Sequence, residues 1–256
     1  MLTIYTDKIK AQSIGDKLNA PQTHIELLDK RKHSAVKVGT QNYTDAMFHA
    51  NIASAMPIEF RQLVLEYPIF ITQSPNSKKF QFSILLGLEP GQNLYIENGK
   101  WKAKFLPLDI LRRPFNLIIK DNPFDEEALI AIDTKSTMVN EEKGSSLFNN
   151  DGSPTKFFQR IKAMFSELMK GAKHTAQMLT LAENLGLIQP VSIEYEINDQ
   201  PYIRGGMFDL STEKIDNLNA EQLLQCKQLG LLEASVLMET SRIHVNDLIN
   251  KAHPTF

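Results

Sequence analysis

The chain has a single cysteine, Cys226, among its 256 residues, so no intrachain disulfide can form and a reducing compartment is expected. Cys226 falls in a helical stretch with no histidine at a spacing that implicates a partner. A small buried apolar group suits it better than a catalytic thiol. No apolar run approaches the roughly 20 residues needed to span a bilayer. The opening Met-Leu-Thr-Ile-Tyr-Thr-Asp-Lys lacks the basic-then-apolar order of a signal peptide. A cytoplasmic location is expected, with export by a route lacking a cleaved leader left open. An excess of one charge is missing too: 28 Lys and Arg against 30 Asp and Glu leave −2, so no basic field draws nucleic acid or anionic lipid. There is no Gly-rich phosphate loop, internal repeat, low-complexity tract or flexible linker.

What is present is ordinary globular material, 42% hydrophobic and 23% charged, enough for a substantial core. Short strands are expected over Ile25 to Leu28 and Ala35 to Val38. Met56-Pro57 followed by Phe60, Leu63, Val64 and Tyr67 spells a short amphipathic helix with proline at its start, ending before Pro68. Ile69 to Thr72 and Phe80 to Leu88 read as strands, the second with an apolar end that suits a central position buried on both sides. Asn98-Gly99 accepts the positive dihedrals of a tight primed turn, which places Trp101 at the head of a strand. Ala128 to Asp133 is a further apolar strand, and Leu147 to Pro154 holds an Asn-Asp-Gly turn.

The second half changes character. Ser153 and Pro154 are typed as cap and first residue of a long helix carrying Phe157, Phe158, Ile161, Met164, Phe165, Leu168 and Met169 at helical spacing. That helix is expected to run on to Gly186, with Gly171 as a kink and Pro190 just beyond. Ile193, Tyr195 and Ile197 alternate with polar residues, and Asn198 to Pro201 turns the chain into Tyr202 to Phe208. Asn219 and Gln222 form a capping-box pattern ahead of a helix that Gly230 splits or bends. The elements predict an α+β fold, with an antiparallel or mixed sheet in the N-terminal half and long helices flanking a β-hairpin in the C-terminal half. We read residues 1–256 as a single domain with a soft division into a mainly β part, 1–140, and a mainly α part with one hairpin, 141–256.

From about Leu27 to Leu248 the chain resembles the SapC family of bacterial proteins. The resemblance is carried in order by Leu28-Asp29-Lys30 with His33, Met56-Pro57 with Glu59-Phe60, and Tyr67-Pro68-Ile69. It continues through Leu86-Gly87-Leu88 with Asn93-Leu94-Tyr95, Trp101 to Phe115, Ile132-Asp133, and Leu147-Phe148 with Asp151-Gly152 and Pro154. Leu187-Ile188 with Pro190, Gly206 to Leu210 and Gly230-Leu231-Leu232 complete it. The family name comes from a surface-layer locus, and relatives are often encoded near outer-membrane receptors, halogenase-like proteins and cupin-like oxygenases. The resemblance therefore implies an accessory or cell-surface-related role with no established reaction. A label shared with a peptide-transporter permease does not apply, because a permease needs several apolar spans.

Five residues are singled out as candidate ligand-binding groups: His33, Trp101, Arg112, Arg113 and Asp133. Arg112 and Arg113 can present forked guanidinium donors to a carboxylate or phosphate, or else fix an irregular loop by ion pairing. Asp109, just before them, departs from the family pattern and is a poor functional choice. Trp101 and Phe105 can stack on a ligand but suit core packing better. His33 lies in a family-like segment, with a hydrogen-bonded structural role as its plain alternative. Asp133 ends a buried strand, where side chains line sites or cap turns. His24-Ile25-Glu26 has the spacing of a facial-triad iron site, but the strands are too few for the jelly roll such a site needs. No metal site, cofactor or catalytic residue is assigned. Two functions stay open: an accessory protein acting through protein contacts, and a small-ligand binder or enzyme around His33, Trp101, Arg112 and Arg113. The absence of a catalytic constellation favours the accessory role and a protein partner.

Overall fold

Two pairs of residues at tight turns organise much of the chain: Asn98 and Gly99 (φ 51° and 69°), and Asn198 and Asp199 (φ 50° and 60°). Positive φ at both central positions matches the right-handed twist of the strands they join. The structure, a computed structural model, describes residues 3–5, 24–74, 77–119 and 128–254. Its strands are β1 (Thr3–Tyr5), β2 (Ile25–Leu27), β3 (Lys37–Val38), β4 (Ile52–Ser54), β5 (Ile69–Gln73), β6 (Phe80–Leu85) and β7 (Ile96–Glu97). They continue as β8 (Lys100–Trp101), β9 (Phe115–Ile119), β10 (Ala128–Asp133), β11 (Val139–Asn140), β12 (Ser145–Ser146), β13 (Ile188–Ile197) and β14 (Gln200–Leu210). The helices are α1 (Phe60–Leu63), α2 (Leu108–Leu111), α3 (Lys156–Asn184), α4 (Thr212–Asp216), α5 (Ala220–Gln228), α6 (Leu231–Ser241) and α7 (Ile243–Ala252).

The fold is α+β. Its main sheet has six strands in the order β1-β13-β14-β5-β6-β4, with every neighbouring pair antiparallel. Met207 and Phe208 of β14 pair with Thr72 and Ile71 of β5, so strands from both sides of residue 140 share this sheet. β6 lies between β5 and β4, and its apolar end is buried as a central strand requires. The strand stops at Leu85 because the next amides turn to Asn51 O and the backbone of Gln92 closes on Gly87, where a Cβ would sit 2.5 Å from a carbonyl oxygen. Smaller sheets, β2-β10-β9, β11-β3-β12 and β7-β8, surround it. In the β13–β14 hairpin the register shifts between Val191 and Ile193, opposite Gly206 at φ 82°, which makes a bulge.

Helix α3 is capped two residues later than Ser153 and Pro154 suggest: Thr155 Oγ1 accepts the Phe158 N–H at 3.2 Å. Ser153 instead closes the Asn-Asp-Gly turn, its carbonyl accepting the Asn149 N–H at 2.8 Å. The helix runs 29 residues straight through Gly171. A Cβ there would lie 2.8 Å from Met56 Sδ, so Gly171 makes room for a crossing side chain rather than a kink. Gly186, at φ 66°, ends the helix: its N–H donates to Glu183 O and that of Leu187 to Ala182 O, a Schellman motif. Pro190 belongs to β13, where it pairs with Phe208 of β14 rather than standing beyond the helix as a stop. Gly230 divides α5 from α6 in a left-handed conformation, and the Asn219–Gln222 capping box is formed. Helix α6 packs on β5 and β14, and Ser241 Oγ accepts the Ile69 N–H at 2.8 Å.

Candidate functional site

The predicted helix after Met56 is a 3-10 turn, Pro57–Glu59, followed by the single turn of α1. Proline sets the entry, and Glu59 reaches back to the Met56 N–H at 3.3 Å as a capping carboxylate. Its other oxygen accepts the Leu108 N–H at 2.7 Å, at the first residue of α2. Glu66, beyond α1, accepts the Lys104 and Phe105 N–H groups, so two glutamates hold one loop by its backbone. Glu59 is buried and has no cation on its carboxylate among the described residues. Burial pushes its pKa up to about 7, the two amides pull it down, and the neighbouring Asp109 charge adds to the rise.

Asp109, on α2, is gripped from both sides. Arg112 Nη2 and Nε donate to its Oδ1 at 2.6 and 3.0 Å, and Arg113 Nη2 to its Oδ2 at 3.1 Å. Burial pushes the Asp109 pKa up, but the two guanidinium groups outweigh it and hold the carboxyl below its ordinary range. Arg112 also donates to Phe115 O and Asn116 Oδ1 at 2.9 and 2.8 Å, which joins α2 to β9. This cluster floors a cleft of about 550 Å³. Glu59, Asp109, Arg112 and Asn116 supply the polar side; Phe165, Leu168, Met169 and Ala172 of α3, with Met56 and Leu117, supply the apolar side, and Lys173 stands at the helix edge. The volume lies in the usual small-molecule range of roughly 300–1,000 Å³.

The five predicted residues do not converge. Arg112 alone lines the cleft. Arg113 turns away beneath Asp109, with its guanidinium 5.5 Å from the centre of the Phe48 ring. Trp101 packs against Tyr43 and Tyr95 and donates its Nε1–H to Tyr67 Oη at 3.0 Å, while Tyr67 donates to Phe105 O at 2.6 Å. His33 is buried in its own turn: Nδ1 meets the Asp29 backbone N–H at 3.0 Å, and Nε2 faces Glu26 at 3.5 Å. Asp133 caps the turn after β10, accepting the Lys135 N–H at 3.0 Å. Among the described residues no three His, Cys, Asp or Glu side chains gather as metal ligands, and Glu26 of the His-x-acid triplet pairs with Lys32.

The described segments from Leu28 to Leu248 thus build one connected set of elements, and a family model, SapC, matches residues 28–248. The chain belongs to the SapC family. Comparison with curated proteins and with solved structures finds no match. Within this SapC-family chain, the cleft residues Glu59, Asn116 and Lys173 are not among those that the sequence singles out. Glu59 carries one legible signal, a carboxylate between Ile58 and Phe60 just after a proline. Asn116 and Lys173 carry none, because they share one cleft lining only once α3, β9 and α2 are brought around it by the fold.

Proposed function

We propose that this SapC-family protein binds a small molecule in the α3 cleft. The observation that carries the reading is a recess of about 550 Å³ that sets a buried carboxyl and an ion-paired floor against an apolar helix face. A few convergent polar groups in a mainly apolar concavity are what small-ligand sites are made of. The test is titration of wild type and Ala172→Trp with Nile red. Binding at one site per chain that the tryptophan abolishes is expected; equal binding to both proteins contradicts the reading.

A second reading, contact with a protein partner, is favoured by four exposed apolar side chains: Ile58 at 72%, Leu65 at 70%, Val236 at 60% and Ile243 at 67%. They project from elements tied together by Arg61–Glu233 at 2.7 Å and by His244 Nε2 on Val64 O at 2.9 Å. Apolar side chains of this size usually go uncovered in a group where something docks. We propose a cytoplasmic location, in keeping with the buried unpaired Cys226, and no nucleic-acid partner, in keeping with the balanced charge.

A further inference from the structure

Among the described residues, the charges around the cleft do not balance. Asp109 is matched by two guanidinium groups, Arg112 and Arg113, which leaves one positive charge over. Lys173, at the mouth, adds a second and has no carboxylate partner among the described residues. Among the described residues, the one other acid on the lining is Glu59, which the fold holds against two backbone amides without a cation. Arg112 has five N–H donors. Nε and one Nη2 N–H serve Asp109, the two on Nη1 serve Phe115 O and Asn116, and a second Nη2 N–H is left over.

We propose that the cleft selects a monocarboxylic acid with an apolar tail, its carboxylate meeting Lys173 and the spare edge of Arg112 and its tail lying against Phe165, Leu168 and Met169. This rests on the cleft being a small-molecule site. A single spare guanidinium donor and one lysine suit a monoanion, and the apolar wall of α3 leaves a sugar or nucleotide unmatched. Glu59 makes the selection depend on protons. The titratable groups that act on it are Asp109 from α2 and the Tyr67 phenol beyond α1, and the cations Arg112 from α2 and Lys173 from α3 share its cleft lining. A carboxylate entering beside Glu59 disfavours its ionised form, so the ligand binds best while Glu59 is neutral. With that carboxyl titrating at about 7, affinity falls as pH rises through neutrality.

The experiment is calorimetric titration of the full chain with decanoate, decan-1-ol and decyltrimethylammonium at about pH 6 and about pH 8, where decanoate stays ionised on both sides of the Glu59 titration. Decanoate is expected to bind about tenfold more tightly than the alcohol. The ammonium should gain nothing over the alcohol. Lys173→Met should remove the preference, and Glu59→Gln should flatten the pH dependence. If the alcohol or the ammonium matches decanoate, or Lys173→Met leaves the preference intact, the selection for a carboxylate is overturned while the cleft remains a binding site. If no probe binds, or Ala172→Trp binds all three as wild type does, the site itself is disproved and the selection falls with it.

Discussion

Glu59 accepts the N–H of Leu108 at 2.7 Å, so a buried carboxyl from one end of the 3-10 turn fixes the start of α2 and with it the Arg112–Asp109 floor of the cleft. The contact makes Glu59 a brace for α2. The hydrogen bond to the amide favours the ionised form, and burial favours the neutral one and wins.

Stability should depend on pH with a definite sign. The Glu59 pKa is about 7 in the fold against 4.5 for an ordinary glutamate, so the fold prefers the protonated carboxyl. Its contribution is complete below pH 4.5 and is lost as pH rises through 7. Between those limits wild type should lose about 3 kcal/mol relative to Glu59→Gln, since each tenfold difference in proton affinity between the folded and unfolded chain is worth about 1.4 kcal/mol. Urea unfolding of both proteins across the range checks this, and parallel curves would refute it.

Asp109→Asn strands two guanidinium groups, with Arg112 and Arg113 side chains 24% and 14% exposed. Removing one partner of an ion pair at that depth costs about 3 kcal/mol. Chemical denaturation should find the variant less stable by that order, and a change under about 0.5 kcal/mol would mean that the pairs are solvated like surface ones.

Gly171→Ala places a methyl 2.8 Å from Met56 Sδ, the end of a flexible side chain that can move. Alanine gains about 1 kcal/mol of helix propensity, and moving the thioether takes back a similar amount. Unfolding temperature should barely change, while Nile red affinity falls because the displaced Met56 lines the cleft. A large loss of stability with unaltered binding would contradict this.

Cys226 is fully buried, and burial raises its thiol pKa. The native protein should react with an aromatic disulfide reagent only after denaturant is added. Rapid labelling of the native chain would show that α5 opens.

Much of the architecture is legible in the sequence because its signals are local. Asn98-Gly99, Asn198-Asp199, the Asn219–Gln222 box and the Gly186 and Gly230 stops each act through backbone geometry within a few residues, and each is seen. The pairing of β14 with β5 is not legible, since it joins Met207 to Thr72 across the chain and leaves no local trace. The site suffers in the same way. His33, Trp101 and Asp133 attract notice by residue type, and all three are engaged by neighbours in turns or aromatic packing. Arg112 stands out by its chemistry; Asp109, set aside in the sequence as a poor functional choice, is the carboxylate that orders both arginines. Glu59 resembles an ordinary capping glutamate until α2 and α3 close over it.

The most direct test of the α3 cleft as the working site is native mass spectrometry of the protein purified gently from the cells that make it, wild type beside Ala172→Trp. Wild type is expected to carry one small organic molecule per chain that the tryptophan variant lacks. Both proteins free of any small molecule, with a stoichiometric protein partner retained by each, would contradict it and leave the exposed Ile58, Leu65, Val236 and Ile243 surface as the place to look.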